Sequence, residues 1–538
     1  MPVPHRFNAM GDWHLPVCNS FVTSQLYNKE KLVKGVVDVM VCGDWLRKRA
    51  DLSPMNVALV DGTTKEKWTY KELHEQALRW AMFFQDKGLQ QGDRVVVVAQ
   101  NSPIFFEMMF ACQKIGCVLT PLNWRLSEAE IREIALHAEP ALMVFDDFSL
   151  QAFPTLQTLG FQWEPLNRGK EKINTQEFCG LIDESKPKDH LPWLMIYTGG
   201  TTGKPKGVVL TERAINWNAY NTIITWGLTE KDTTLTYMPM FHTGGINALS
   251  IPLLMAGGTV VVANKFSASE AIQLLHEYTC TIALFVPTMY HMIVEDPLFQ
   301  KMPFSSMTAF LSGGAPCPHT IYEKFQQRNL PFKEGYGLTE AGPNNFSITP
   351  ERAHTKVGSV GKPMLLNEVK IVNNEGLEVQ TGEVGELIIK GNHMFTEYFR
   401  NEKATMEALR NGWLHTGDLA KQDHEGDYFI VGRKKEMIIS GGENIYPLEI
   451  EQILIAHPNV REATIIGVKD ERWGERVIAY VSVKSPEVIT VSTLIEHMRP
   501  SLASYKLPKE IVILHELPKT AVGKIDKKRL VETYKIGG

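Results

Sequence analysis

The sequence predicts an α/β protein with a large N-terminal domain, built from parallel α/β sheets plus a small β subdomain, and a smaller mobile α+β C-terminal domain. Three observations carry this prediction. Buried strands alternate with helices in two separate stretches, short strands with turns follow from 358 to about 390, and the pattern changes again after 432–435. Because 538 residues are too many for one compact core, we expect domains at 1–434 and 435–538.

The first alternation of strands and helices lies near the N-terminus. Thr69 and Glu72 have the spacing of a capping box ahead of apolar residues at helical intervals, and Gly88 can end this helix. The segments that follow predict a strand at 95–99, a helix at 104–115 and a strand at 117–119. A strand, a helix and a strand in succession predict a parallel α/β sheet.

The second alternation and the C-terminal domain give the same signals. The last strand of the second alternation leads into the turn SGGAP at 312–316, and open α/β sheets bind ligands at the carboxyl ends of their strands. Expected elements of the second alternation are strands at 259–263, 282–286 and 308–311 and a helix at 269–277. Those of the C-terminal domain are helices at 447–456 and 492–502 and strands at 463–468, 477–483 and 510–514.

Residues 197–207, YTGGTTGKPKG, lie between two apolar runs, which predicts a loop between two strands. Its glycines let the backbone approach a ligand, its threonines add hydroxyl donors and its lysines add positive charge, which suits a polyphosphate. P-loop NTPases need glycine where Thr198 stands, Ser or Thr where Pro205 stands, and a following helix, so that class is excluded. The candidate phosphate-binding residues are Thr198, Gly199, Gly200, Thr201, Thr202, Gly203 and Lys206.

Composition argues against several other functions. With 56 Lys and Arg against 61 Asp and Glu, the formal net charge is −5, so we expect no general attraction to nucleic acid or to an anionic membrane. The most apolar stretch, 248–263, is interrupted by proline and glycine, so no stable membrane insertion is expected. The seven cysteines lack the paired spacing of zinc sites, and the N-terminus lacks an apolar signal core, which favours a cytoplasmic protein.

Motifs dispersed along residues 45–530 resemble, in the same order, those of the adenylate-forming superfamily, which includes acyl-CoA and aryl-CoA synthetases. The resemblance implies an ATP-dependent carboxylic acid–CoA ligase that needs Mg²⁺ and coenzyme A. Such an enzyme forms acyl-AMP and pyrophosphate, and then acyl-CoA and AMP. The matching segments are 197–207, PMFH at 239–242, SGGAP at 312–316, YGLTE at 336–340, GELIIKG at 385–391, WLHTGD at 413–418, GRKKEMIISGGENIYPLEIE at 432–451, and 518–524.

The resemblance also implies which residues carry out adenylation. Lys524 matches the lysine that bridges the substrate carboxylate and the α-phosphate, Glu340 matches the Mg²⁺ ligand, and Thr339 matches a phosphate contact. His242 stands where acyl- and aryl-CoA synthetases have histidine, which favours an acid without an α-amine. The other residues implied in nucleotide binding are Gly313, Gly314, Ala315, Pro316, Tyr336, Gly337, Asp418 and Arg433.

For the second half-reaction, the resemblance implies that the C-terminal domain swings about a hinge at Lys435. Two positions depart from the pattern of relatives. Gly199 replaces the usual serine, which removes a hydroxyl donor to phosphate, and Leu507 replaces an arginine of one aryl-CoA relative, which removes a cation near the phosphates of coenzyme A. The residues implied in binding coenzyme A are Arg125, Ser440, Gly441, Gly442, Trp473 and Tyr505.

The pocket for the acid is also predicted from the resemblance. Glycines at four positions, 244, 245, 314 and 335, would leave a roomy apolar channel, which favours a medium- or long-chain fatty acid. Three alternatives stay open: an aryl-CoA ligase with a flatter pocket, an enzyme that loads a separate carrier protein, and a catalytically silent nucleotide-binding scaffold. A homodimer is compatible with the resemblance. The predicted pocket residues are Trp217, Tyr220, Asn221, Thr243, Gly244, Gly245, Asn247 and Gly335.

Overall fold

The structure is a computed structural model that describes residues 43–167, 189–199, 205–484, 489–519 and 525–537. Within these ranges the chain forms four β-sheets with helices packed against them. Two of the sheets are largely parallel, one is antiparallel, and one belongs to the C-terminal part of the chain. The predicted α/β class, with a large N-terminal and a smaller C-terminal part, is confirmed.

The first α/β sheet carries the glycine loop between two of its strands. Those two strands pair antiparallel, as a direct connection between neighbours requires, and the edge strand Glu397–Tyr398 also pairs antiparallel with Lys206–Thr211. The pairs on the other side, from Pro192–Thr198 to Gln162–Pro165, are parallel. The valines of the strand Arg94–Val98 are fully buried, as expected for a parallel strand covered on both faces. The strands lie in the order Glu397–Tyr398, Lys206–Thr211, Pro192–Thr198, Val118–Leu122, Arg94–Val98, Leu142–Phe145 and Gln162–Pro165.

The second α/β sheet brings two glycine turns to one edge. Ser312 and Glu334 are register partners at the ends of adjacent parallel strands, so the residues that follow them, Gly313 and Gly335, leave the sheet side by side. All its pairs are parallel except that of its last two strands. The strand order is Phe332–Glu334, Ala309–Ser312, Ile282–Phe285, Thr233–Thr236, Thr259–Val262, Val57–Asp61 and Lys67–Thr69.

The third sheet is antiparallel and larger than the β subdomain predicted for 358–390. Strands from further along the chain join it, and two of them, Trp413–Gln422 and Tyr428–Arg433, place Asp418 directly opposite Arg433. The prediction ended too early because pairing between strands far apart in sequence leaves no local turn signal. The strands are Phe346–Ser347, Ser359–Pro363, Tyr428–Arg433, Trp413–Gln422, Gly385–Lys390 and Glu368–Val372, with Leu409–Arg410 beside Trp413–Gln422.

The C-terminal sheet has a hydrophobic core of its own. Its clusters of buried residues begin at Ile438, whereas the clusters of the N-terminal part end at Tyr428. The proposed boundary at Lys435 lies in the interval between them. The strands are Glu443–Ile445, Ile438–Ser440, Gly474–Val483 and Val460–Asp470, with Glu510–Leu514 parallel to Gly474–Val483.

The helices follow the sequence signals closely at their N-termini. Both hydrogen bonds of the predicted capping box at Thr69 and Glu72 form, and Gly116, in the left-handed region at φ 76°, ends the helix Ile104–Ile115. No helix in the described ranges is long and apolar enough to cross a membrane. The α-helices are Trp45–Leu52, Tyr70–Asp86, Ile104–Ile115, Glu128–Ala138, Asp147–Ala152, Glu212–Trp226, Thr243–Ile246, Ser250–Ala256, Ala268–Glu277, Pro287–Glu295, Pro297–Lys301, His319–Gln327, Pro350–Thr355, Glu402–Ala408, Pro447–Ile455, Val491–Met498 and Lys527–Gly537.

Candidate active site

A large cleft lies between the N-terminal sheets and the C-terminal domain. Its volume is about 3840 Å³, against roughly 300–1,000 Å³ for a typical ligand pocket, so it has room for two substrates at once. The predicted site residues that line it are Arg125, Thr198, Gly199, Lys206, His242, Thr243, Gly244, Gly313, Gly314, Ala315, Pro316, Gly335, Tyr336, Gly337, Thr339, Glu340, Asp418, Arg433 and Lys435.

Other predicted site residues are not brought to this cleft. Five of the eight residues assigned to the acid pocket lie behind its lining, and the predicted coenzyme A residues of the C-terminal domain lie elsewhere. The first group is Trp217, Tyr220, Asn221, Gly245 and Asn247, and the second is Ser440, Gly441, Gly442, Trp473 and Tyr505. The predicted residues Gly200, Thr201, Thr202, Gly203 and Lys524 fall outside the described residues.

The side chains of the cleft divide into two groups. The charged half consists of Lys206, Tyr336, Glu340, Tyr398, Asp418 and Arg433. The apolar half consists of Met238, Leu284, Leu311 and Leu338, together with His242, Thr243 and Asn344.

Asp418 is the centre of the first cluster in the charged half. It is 5% exposed, and its two carboxylate oxygens accept from Tyr336 Oη at 2.5 Å and from Arg433 Nε at 2.7 Å. Arg433 also donates to the backbone oxygen of Thr416 at 3.2 Å, which fixes the guanidinium. Burial, and then the Asp418 carboxylate, raise the pKa of the Tyr336 hydroxyl, so Tyr336 stays a donor. The Asp418 carboxylate is therefore held between two fixed donors, and a carboxylate has several lone pairs with which to accept from a diol such as ribose.

Glu340 is the centre of the second cluster in the charged half. Tyr398 Oη donates to Glu340 Oε1 at 2.8 Å, and Lys206 Nζ lies 4.7 Å from the centroid of the Tyr398 ring. The strand Glu397–Tyr398 is placed here because it pairs with Lys206–Thr211 at the end of the glycine loop. Burial, and then Glu340, raise the pKa of the Tyr398 hydroxyl, which keeps its proton.

The charged half also has the donor set that Mg²⁺ prefers with a nucleotide. Mg²⁺ is usually held by one or two carboxylates together with substrate phosphates and water, rather than by an all-protein cage. Glu340 supplies one carboxylate, and no cluster of three or more metal-ligating side chains occurs in the described ranges. Thr198 and Lys206 line the same region and offer a hydroxyl and a cation to phosphates. The residues fit Mg²⁺ carried in by ATP.

Tyr398 and Glu334 are cleft residues that sequence reasoning missed. Tyr398 gave no local signal, because its position in the cleft depends on the pairing of its strand with Val208, which lies far earlier in the sequence. Glu334 directly precedes the glycine turn at Gly335 and could have been found by that position. It is 7% exposed and accepts from Cys317 N at 3.0 Å and from Tyr322 Oη at 2.8 Å. Burial raises the pKa of Glu334 to about 7.

The glycines of the apolar half are required by packing rather than by an open channel. A Cβ on Gly245 would lie 2.5 Å from the backbone oxygen of Pro239, and one on Gly335 would lie 3.1 Å from a methyl carbon of Leu311. A Cβ on Gly244 would lie 3.2 Å from the methyl carbon of Met238, and Gly314 has φ +82°. The expectation that these glycines leave room for an alkyl chain is therefore not supported.

The asparagines predicted for the pocket wall are structural. Asn221 is 1% exposed, and its Oδ1 accepts from the backbone N–H of Leu366 at 2.9 Å. Asn247 is 2% exposed and donates from Nδ2 to Thr243 Oγ1 at 3.1 Å. Buried polar groups need such partners, and these two anchor the helix Glu212–Trp226 to neighbouring loops rather than facing the cleft.

Three of the predicted coenzyme A residues, Ser440, Gly441 and Trp473, group on one edge of the C-terminal sheet. The backbone N–H of Gly441 donates to the oxygen of Trp473 at 2.8 Å, and Ser440 pairs with Gly474. A Cβ on Gly441 would lie 3.0 Å from the Trp473 ring, so glycine is needed for this contact. The indole is 43% exposed, with the Arg472 guanidinium 4.8 Å from its centroid.

The hinge region is tied to the C-terminal helix by an ion cluster. Lys527 Nζ lies 3.0 Å from Glu436 and 2.9 Å from Glu451, and Glu436 directly follows the predicted hinge residue Lys435. Burial, and then Arg433, lower the pKa of Lys435. The start of the helix Lys527–Gly537 is therefore tied to the residue next to Lys435.

Comparison with known proteins gives two family matches and a consistent set of relatives. Residues 46–399 match AMP-binding enzymes, and residues 449–524 match the AMP-binding enzyme C-terminal domain. The chain is 34% identical over 500 residues to the indoleacetate–CoA ligase of Aromatoleum aromaticum, an alignment that covers 91% of this chain and 97% of that enzyme.

Two solved structures are similar over nearly the whole chain. The o-succinylbenzoate CoA synthetase of Bacillus subtilis, in complex with its acyl-adenylate intermediate, is 30% identical with a TM-score of 0.81 and covers 91% of this chain and 98% of that one. That enzyme has also been solved with ATP and a magnesium ion. A fatty acyl CoA synthetase of Mycobacterium tuberculosis is 30% identical with a TM-score of 0.72 and covers 92% of this chain and 98% of that one.

Proposed function

This chain belongs to the AMP-binding enzyme family, and we propose that it is an aryl-CoA ligase, which joins a compact aromatic carboxylic acid to coenzyme A. As an AMP-forming acid–CoA ligase, it uses ATP, Mg²⁺ and coenzyme A. The aromatic substrate replaces the medium- or long-chain fatty acid expected from the sequence.

The observation that carries the proposal is a hydrogen-bonded polar contact at Asn344 in the lining of the apolar half, here called the floor. Asn344 joins the turn after Glu340 to the helix Glu212–Trp226, since its Nδ2 donates to Thr222 Oγ1 at 2.9 Å and to the backbone oxygen of Ala248 at 2.7 Å. A long alkyl chain that passed here would have to break these buried hydrogen bonds and leave polar groups unpaired. A flat, short acid can stop above the floor and leave it intact.

The relatives support the same choice. Both the indoleacetate–CoA ligase and the o-succinylbenzoate CoA synthetase are named for aromatic acids.

In the first half-reaction, the charged half of the cleft holds the nucleotide. Asp418 accepts hydrogen bonds from the ribose hydroxyls, while Tyr336 and Arg433 fix its carboxylate. Lys206 and Thr198 contact the phosphates. Glu340, oriented by Tyr398, is the carboxylate that would hold Mg²⁺ together with the nucleotide. When bound, the ion would supply positive charge that offsets repulsion between the triphosphate and the incoming carboxylate.

The acid enters with its carboxylate beside the nucleotide and its ring between the apolar side chains. His242 lies at the start of the short helix Thr243–Ile246, packed against Phe241 with ring centroids 4.7 Å apart, and marks the boundary between the two halves. Lys524, assigned from the resemblance alone, would stabilise charge on the α-phosphate during adenylation. For thioester formation, the C-terminal domain would then rotate at Lys435 and present the edge that carries Gly441 and Trp473.

The test is AMP release that depends on both ATP and coenzyme A, measured with benzoates, arylacetates, cinnamates and straight-chain acids of increasing length. The proposal predicts the highest kcat/KM among the aromatic acids. A maximum among the straight-chain acids would overturn it. Pyrophosphate exchange with an aromatic acid but without AMP release to coenzyme A would instead favour a carrier protein as the thiol acceptor.

A further inference from the structure

Asn344 presents a fixed hydrogen-bond acceptor to the apolar half of the cleft. The residue is 4% exposed and lines the cleft. Both protons of its Nδ2 are engaged, one by Thr222 Oγ1 and one by the backbone oxygen of Ala248. Since a backbone carbonyl can only accept, the amide cannot be turned around, and Oδ1 is the atom left for the cleft.

No described residue donates a hydrogen bond to Asn344 Oδ1. Its position also differs from that of the other asparagine oxygens nearby. The Oδ1 atoms of Asn218 and Asn247 are fully buried and unpartnered within the part of the chain that the structure describes, whereas Asn344 Oδ1 is not shut off from the cleft. An acceptor in a mostly apolar pocket gains most from a ligand that brings a donor.

The Asn344 amide is held by a continuous relay of hydrogen bonds. Thr222 Oγ1 donates to the backbone oxygen of Asn218 at 2.8 Å, and Asn218 Nδ2 donates to the backbone oxygen of Asn247 at 2.7 Å. Asn247 Nδ2 then donates to Thr243 Oγ1 at 3.1 Å, and Thr243 lines the cleft as Asn344 does. The relay therefore fixes the Asn344 amide and Thr243 Oγ1, which both line the cleft, before any acid binds. A site that is held in place in this way gains specificity.

We propose that the apolar half selects aromatic acids that carry a hydrogen-bond donor, a ring N–H or a phenolic O–H, on the part remote from the carboxylate, and that Asn344 Oδ1 accepts this hydrogen bond. The inference rests on the proposed function, because it places an aromatic ring in this half of the cleft. It also predicts that the enzyme discriminates against acids whose remote end carries only acceptors, such as a second carboxylate. In such a complex the acceptor of the acid would face the acceptor Asn344 Oδ1.

The test compares pairs of acids that differ in the donor alone, indole-3-acetate with 1-benzothiophene-3-acetate and 4-hydroxycinnamate with 4-fluorocinnamate. In the wild-type enzyme we expect kcat/KM to favour the donor-bearing member by about tenfold to a hundredfold. In Asn344→Leu, which has a similar volume and no acceptor, the ratio should fall to near one.

Thr222→Val is the matched second variant. It removes one partner of Asn344 Nδ2 but leaves the amide anchored by Ala248, so most of the wild-type preference should persist. If the preference is lost in Asn344→Leu but kept in Thr222→Val, the loss comes from the missing Oδ1 acceptor and not from a general disturbance of the floor. Thr222→Val can also be measured if Asn344→Leu does not fold.

Equal use of both members of each pair by the wild-type enzyme would overturn this inference and leave the proposed function standing. A preference that survives in folded Asn344→Leu would also overturn it. If neither member of either pair releases AMP while octanoate does, the proposed function fails and this inference fails with it.

Discussion

The two halves of the cleft hold their functional groups in different ways. In the charged half, ionic side chains from separate strands meet directly, as Asp418 does with Tyr336 and Arg433, and as Glu340 does with Tyr398. In the apolar half, buried amides such as that of Asn344 connect a helix to two loops. The first arrangement suits chemistry common to all AMP-binding enzymes, and the second suits a choice among acids.

Among the substitutions considered, Asp418→Asn should have the largest effect, a loss of kcat/KM for ATP. Asp418→Asn keeps the size of the side chain but removes the charge that pairs with Arg433 and one acceptor for ribose. We expect kcat/KM for ATP to fall by about a hundredfold, since hydrogen bonds to a charged group are each worth about 1.5–3 kcal/mol. Steady-state kinetics with varied ATP measure this loss.

The control for Asp418→Asn is Asp51→Asn, at an exposed position on the helix Trp45–Leu52. It should leave kcat/KM for ATP as it is in the wild type. A loss of less than about threefold in folded Asp418→Asn would contradict the assignment of Asp418 to the ribose.

The buried carboxyl of Glu334 is expected to make the stability of the protein depend on pH. Its pKa is raised from 4.5 to about 7 in the folded protein, so its favourable contribution is complete below pH 4.5 and is lost as the pH rises through about 7. Glu334→Gln stays neutral. Its free energy of unfolding, relative to that of the wild type, should therefore rise by about 2–3 kcal/mol between pH 5 and pH 8.

Denaturant titrations at the two pH values measure this difference. Glu323→Gln, at an exposed position of the helix His319–Gln327, is the matched control and should show no comparable trend. If the Glu334→Gln and wild-type stabilities ran parallel across this range, the buried carboxyl would not be titrating as described.

Tyr398→Phe tests the orientation of Glu340. The ring, and with it the contact with Lys206, is kept, but the hydrogen bond to Glu340 is lost. We expect kcat/KM for ATP to fall by about tenfold and half-saturation by Mg²⁺ to shift upward. Titrating activity with Mg²⁺ at fixed ATP checks this, with Tyr428→Phe on the third sheet as the control. An unchanged Mg²⁺ requirement would contradict a role of Tyr398 in orienting Glu340 for Mg²⁺ binding.

Gly199→Ser is expected to have the smallest effect. Among the residues that the structure describes, no atom lies within 4 Å of a Cβ built at this position, so none of them would clash with a serine side chain. The restored hydroxyl can donate to phosphate, and kcat/KM for ATP should rise by about threefold, as a single neutral hydrogen bond allows. A fall would show that the departure at Gly199 is an adaptation to this loop.

Most of the charged half could be predicted from the sequence because its residues stand in local motifs with turn and strand signals. Asp418 in WLHTGD and Glu340 in YGLTE both line the cleft as expected. Tyr398 could not be predicted, since only the pairing of Glu397–Tyr398 with Lys206–Thr211 places it there.

The apolar half was predicted less well for a different reason. No helix was predicted for the segment that carries Trp217 and Asn221, and the face that a helix presents to a cleft depends on its packing against distant loops. In the structure, the Leu366 backbone engages Asn221, and Asn344, which no motif marks, takes the position at the cleft. The size of a pocket likewise cannot be inferred from its glycines, because Gly245 is required by the close approach of Pro239.

We expect the charged half to set the rate of adenylation for any acid, whereas the apolar half sets which acid is used. The most direct test is the ratio of kcat/KM for indole-3-acetate to that for octanoate, measured in the wild-type enzyme and in Asp418→Asn. We expect a ratio well above one in the wild type and the same ratio, within about twofold, in the slower variant. A wild-type ratio below one, or a ratio that changes with Asp418, would contradict the account.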